Sequence, residues 1–133
     1  MSDIPDAANL LATARDALVD ELLPALPRDL RHTGLMIANA MAISAREQRQ
    51  GAQALLAETA RMRELLRSVA PAAHPPAAAD GADPVALRRL LAAAIRAGAF
   101  DDPARGAALV DHLTRTAADA TAISNPKALQ AAR

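Results

Sequence analysis

The stretch from Asp83 to Gly98, DPVALRRLLAAAIRAG, decides how the rest of the chain is read. Asp83 stands where a carboxylate can accept from the unpaired amides of a first helical turn. Pro84 follows at the first helical position, where its missing N–H is no loss. Leu87, Leu90, Leu91, Ala94 and Ile95 then recur at i, i+3, i+4, i+7 and i+8, one apolar stripe at the α-helical period. Gly98 closes the pattern, because glycine tolerates the left-handed conformation that ends many helices. The same signals recur at Asp102-Pro103, after which Leu109, Leu113, Thr116, Ala120 and Ile123 share a face. Asn125-Pro126 ends that helix and starts a last turn through Leu129.

Working back from Asp83, residues 70–83 (APAAHPPAAADGAD) hold three prolines and almost no bulky side chain. Such a stretch buries little apolar surface and reads as a flexible connector. Before it, the spacing predicts a helix over Asp6–Leu23, capped by Asp6, with Leu11, Ala14, Leu18 and Leu22 on one stripe. Pro24 and Pro27 break that pattern. A second helix is expected over Arg28–Gln50, with Gly51 as its left-handed cap. A third is expected over Ala52–Val69, striped by Leu55, Thr59, Met62, Leu66 and Val69 and stopped by Pro71. No segment alternates with period two, and β-branched and aromatic residues are too few for a sheet. The expected fold is all-α, a compact bundle of about five helices in a single domain over 1–133. Three helices precede the connector and two follow it.

The chain has 133 residues, of which 37 are Ala and 18 Leu; Phe100 is the one aromatic residue, and Trp, Tyr and Cys are absent. Without cysteine there is no disulfide, thiol nucleophile or thiolate metal site. Fifteen basic residues balance fifteen acidic ones, which argues against a nucleic-acid partner, as does the lack of aromatic stacking groups. No apolar run approaches a membrane span, and Met1-Ser2-Asp3 is not a basic signal-peptide start, so a cytoplasmic protein without a membrane partner is expected. Alanine buries little area per residue. The large apolar residues are few, and the domain is expected to gain stability from a partner or a second copy.

The segment after Pro27 carries the site candidates. Leu30, Ile37 and Met41 lie on one side of it. His32, Asn39 and Arg46, spaced by seven, lie on the other with Met36 and Ile43. A helix apolar on both sides reads as central and buried, and its polar residues then need partners. They form either a seam for an anionic ligand or a partner's polar groups, or a set of internal bonds to loop carbonyls and helix ends. Arg46, beside Glu47, suits bidentate contact with a phosphate or carboxylate. It equally suits an acidic neighbour or the last carbonyls of its own helix. Asn125 before Pro126 is either a binding corner or a stop-and-cap residue. His32, His74 and His112 show no metal-ligand spacing, and adjacent Asp111 and His112 point apart on a helix. No phosphate loop or nucleophile elbow is present. Glu58, Arg61, Glu64 and Arg67 alternate in sign and read as a solvated face with local ion pairs. No metal, no cofactor and no catalytic residue is assigned, and a non-enzyme is expected.

Four stretches together carry a family resemblance: LLATARDALVDELLPAL (Leu10 to Leu26), HTGLMIANAMAISAREQR (His32 to Arg49), LRRLLAAAIRAGAFDD (Leu87 to Asp102) and ISNPKAL (Ile123 to Leu129). The chain resembles a bacterial domain-of-unknown-function family of small helical proteins encoded beside aminoglycoside-phosphotransferase-like kinases and acyl-CoA dehydrogenases. It departs in carrying Met41, Ala122 and Ala128 where larger side chains are usual. The resemblance implies a non-catalytic accessory subunit of a hydroxyacyl-CoA type kinase in acyl-CoA catabolism. Asn39, Arg46, Glu47 and Asn125 match its recurring pattern. The alternatives are a small anionic-ligand (acyl-CoA or carboxylate) binding protein using His32, Asn39 and Arg46, or a structural homodimer.

Overall fold

The computed structural model describes residues 5–69 and 81–132. Among them are five α-helices and no strand: α1 (Ala7–Ala17), α2 (Arg31–Val69), α3 (Pro84–Arg96), α4 (Pro103–Ser124) and α5 (Pro126–Ala131). The all-α class read from the sequence holds. The connector expected over 70–83 lies outside the described residues, apart from Gly81 to Asp83.

Helix starts follow the acidic caps. The Asp6 carboxylate accepts from the Asn9 amide at 2.7 Å, and Asp83 accepts from the Ala86 amide at 2.8 Å. Asp102 accepts from the Ala104 and Arg105 amides at 3.1 and 3.0 Å. Gly98 ends α3 with φ +79°. Its amide donates to the Ile95 carbonyl, and the Ala99 amide donates to the Ala94 carbonyl. These are the paired bonds of a Schellman stop, which needs a left-handed residue at Gly98.

Two boundaries differ from the sequence reading. The helix begun at Ala7 is α-helical only to Ala17 and continues as a π turn over Leu18–Leu22. Pro24 explains this. Its ring has no amide for the Asp20 carbonyl and crowds it, and the ladder shifts so that the Leu23 amide donates to the Leu18 carbonyl. Gly51 is not a cap. The chain runs as one helix of 39 residues through it, and Gly51 does not have a positive φ. Nothing after Gly51 opposes the helix: AQALLAETARMRELL consists of helix-tolerant residues with no proline. One glycine costs only about 1 kcal/mol against such a background. The expected second and third helices are therefore one, and the fifth α-helix is instead α5, the last turn anticipated after Asn125-Pro126.

By their contacts the residues form two compact units. The first joins the residues up to Ala52 with those from Thr121 onward, and the second is Gln53–Ala120. The division falls inside α2 and α4, not at the connector. The second unit holds the larger core: Met62, Leu65, Leu66 and Val69 of α2 meet Leu87, Leu91 and Ala94 of α3, with Phe100 and Leu109. The α3 stripe is borne out except at Ile95, which stays 39% exposed.

The first unit buries far less. Its enclosed residues are Ala8, Gly34, Ala38 and Ala45. Gly34 is the close-approach point: a Cβ there would lie 2.8 Å from Leu23 Cδ1 and 3.0 Å from Leu26 Cδ1. The sequence reading of this part of α2 as buried on both sides is corrected. Leu35, Met36 and Ile37 are 53%, 57% and 46% exposed, and His32 and Asn39 are exposed too. The neighbouring segments bury the alanine face and partly cover Met41, Ile43 and Arg46, while His32 and Asn39 stay exposed and carry no burial penalty.

Candidate functional site

The second unit shows which polar residues the chain uses structurally. Glu58 is buried, and its two carboxylate oxygens accept from Arg88 Nε and Nη2 at 2.9 and 2.7 Å. The Arg88 hydrogen bonds hold the Glu58 carboxyl below its ordinary range, against the opposing effect of burial. Arg61 donates through Nε to His112 Nδ1 at 3.4 Å and through Nη2 to the Thr116 hydroxyl at 3.3 Å, with Asp119 at 3.8 Å. Burial, and then the Arg61 charge, push the His112 pKa down, so the ring is the neutral acceptor that this bond requires. Glu58 and Arg61 are thus not part of a solvated face. Only Glu64 and Arg67 make the expected exposed i,i+3 pair, at 3.6 Å. The inward face of α4 is likewise Leu109, His112 and Thr116, while Leu113 points out at 49% exposure. Partners on α3 and α4 decide both outcomes, and periodicity along one helix carries no information about them.

The first unit contains the site. A cleft of about 460 Å³ opens between the end of α1, its π turn, the first half of α2, and the corner joining α4 to α5. Three of the residues singled out from the sequence meet there: Asn39 and Arg46, two turns apart on α2, and Asn125 at the corner. Arg15 of α1 and Lys127 of α5 join them, with Val19, Leu35, Ala38, Ala42 and Pro126 as apolar wall and Ser124 at the rim. The lining has three cationic side chains and no carboxylate. Asp16 accepts from Arg15 at 3.3 Å, and it lines a second recess of about 230 Å³ that shares Arg15, Ala42 and Arg46 with the cleft.

Hydrogen bonding at the cleft divides the candidates. Arg46 Nε donates to the Ile123 carbonyl at 2.6 Å. This is the helix-end bond foreseen for it, but to the last turn of α4 rather than to its own helix. One N–H of five is used, and the four on the terminal nitrogens remain. Asn125 ends α4 and starts α5 through its backbone alone: its amide donates to Thr121, its carbonyl accepts from Ala128, and its side chain makes no cap bond. The stop-and-cap reading therefore accounts for its backbone and leaves the side-chain amide over. Asn39 is exposed at the cleft wall.

His32 and Glu47 are not brought to the cleft. His32 lies about 10 Å along α2 from Asn39, at seven residues and 1.5 Å each, beyond Leu35, where the lining ends. Glu47 is exposed, and its carboxyl group lies over Gly51 one turn on. Arg15 and Lys127 were missed. Lys127 carried a signal, being the one lysine in the chain and next to the Asn125-Pro126 corner. Arg15 carried none. Among the described residues no group of three or more His, Asp or Glu is placed to hold a metal, and no helix is long and apolar enough to cross a membrane.

Fold and site together define an all-α protein with a cationic, partly apolar cleft made by both ends of the described chain. Residues 24–128 match the family described as "Domain of unknown function (DUF6285)", and the chain belongs to that family. No curated protein and no solved structure matches it.

Proposed function

We propose that this chain is a non-catalytic helical accessory protein that binds and stabilises or activates a phosphotransferase-like kinase of hydroxyacyl-CoA type, in bacterial acyl-CoA catabolism in the cytoplasm. The identity of the kinase rests on the family resemblance. The observation that supports a protein partner is the imbalance of the first unit. It encloses alanine and glycine while leaving Met36 and Ile37 of α2, and Leu30 in the turn before it, about half exposed. Side chains of this size stabilise a fold by roughly 1.5–3 kcal/mol each when fully buried. A partner that covers them adds what the alanine core does not, and binding to the folded form raises its stability further.

The test is co-expression with a phosphotransferase-like kinase of the kind the resemblance implies, followed by sizing with light scattering and a kinase assay. Co-elution, lost when Ile37 is changed to Glu, is the expected result. A kinase that is fully active alone and elutes separately would overturn the reading. In that case a mass of twice the chain would favour the homodimer, which the same exposed residues also suit.

A further inference from the structure

The cleft of the first unit has features that covering α2 with a protein does not explain. Arg46 and Lys127 line it with no carboxylate in the lining; Arg15 lines it too, but is paired with Asp16 at 3.3 Å. Arg46 is held in place by its Nε bond to the Ile123 carbonyl, so its remaining N–H groups are presented from a fixed position. The Asn39 and Asn125 side-chain amides add neutral donors that serve no helix cap. Val19 and Leu35 supply an apolar flank. The volume, about 460 Å³, falls within the usual range for small-molecule sites.

We propose that this cleft binds a small amphiphile with an oxyanion head, a carboxylate or phosphate ester on a short aliphatic body. The head lies among Arg46, Lys127 and the two asparagines, and the aliphatic part lies along Val19 and Leu35. The proposal goes beyond the accessory role and stands without the kinase, since every residue it uses belongs to one unit of this chain.

The experiment is a titration of the full chain, followed by amide NMR, with octanoate, octyl phosphate and inorganic phosphate in turn. Saturable shifts of the Asn39 and Asn125 side-chain amides with octanoate or octyl phosphate are expected, and their relative affinities identify the preferred head. Lys127→Glu should weaken binding by about tenfold or more, the effect of one lost charge-assisted contact. Arg89→Glu makes the same change of charge on an exposed residue of the second unit and should leave affinity within about twofold. Asn39→Ala, on an exposed side chain, guards against misfolding and should also weaken binding. Absence of saturation at millimolar concentrations, or equal weakening by Arg89→Glu, would overturn the proposal. Inorganic phosphate binding as tightly as octyl phosphate would overturn it too, leaving an adventitious ion only.

Discussion

Replacing Gly51 with alanine distinguishes a continuous α2 from two helices separated by a cap, because the two arrangements predict opposite signs. Inside a helix, glycine is about 1 kcal/mol less favourable than alanine. A methyl group at Gly51 meets only the Glu47 carboxyl group, the free end of an exposed side chain that can swing into solvent. Most of the propensity gain should survive, giving about 0.5–1 kcal/mol of added stability, or a melting temperature roughly 2–5 °C higher for a chain of this size. A left-handed cap would instead force alanine into a conformation costing about 1–2 kcal/mol. Urea and thermal unfolding followed by far-ultraviolet circular dichroism measure the difference; tryptophan emission is not an option in a chain without Trp. A loss of 1 kcal/mol or more on Gly51→Ala would refute the continuous helix. Gly51→Pro provides the counterpart and should lose about 2 kcal/mol, since proline is about 3 and glycine about 1 kcal/mol less favourable than alanine in a helix.

Arg88→Ala leaves the buried Glu58 carboxylate without its partner. With the Arg88 side chain half exposed, the expected loss is about 1–2 kcal/mol rather than the 3–5 of a fully buried pair, measured by urea unfolding at neutral pH. Because the folded Glu58 pKa lies below its unfolded value, the pair's contribution is present above the carboxylate range and disappears as pH falls through the folded pKa. The stability of Glu58→Gln should therefore fall less in acid than that of the parent. His112 is also depressed, so its protonation favours the unfolded chain as pH drops below about 6.5. Unfolding free energies at pH 7.5 and 5.5 should differ more for the parent than for His112→Gln, and equal differences would count against a neutral His112. At Gly34, where Leu23 and Leu26 press on the helix, alanine should be near neutral as propensity offsets crowding. Leucine should destabilise by roughly 1–3 kcal/mol through overpacking.

Local chemistry was legible in the sequence, and long-range pairing was not. The Asp-Pro starts, the Gly98 stop, the α3 stripe apart from Ile95 and the stripe of the second half of α2 apart from Leu55, which stays exposed, depend on residues within one or two turns of each other. Gly51 and Gly98 look alike in sequence. Only the second is followed by a turn, Ala99-Phe100-Asp101-Asp102, that stops the ladder from continuing. Glu58 and Arg61 were misread because their partners Arg88, His112 and Thr116 are 30 to 55 positions away. Half of the site was visible for the same reason: Asn39 and Arg46 share a helix face by spacing, and Asn125 stands out before proline. Arg15 and Lys127 reach the cleft through the packing of α1 and α5, which periodicity on α2 does not encode.

The first unit is assembled from two pieces of chain separated by the whole of Gln53–Ala120. During synthesis the second unit has all its residues before the first does. Asn39 and Arg46 emerge early, yet their cleft has no far wall until Ser124 to Lys127 have been made. Bringing the two pieces together across so long a segment costs on the order of 2 kcal/mol more in chain entropy than closing a ten-residue loop. A ribosome that stops after Ala120 would release a chain with every residue of the larger core and no cleft. Any ligand of that cleft therefore reports on whether translation reached the α4–α5 corner.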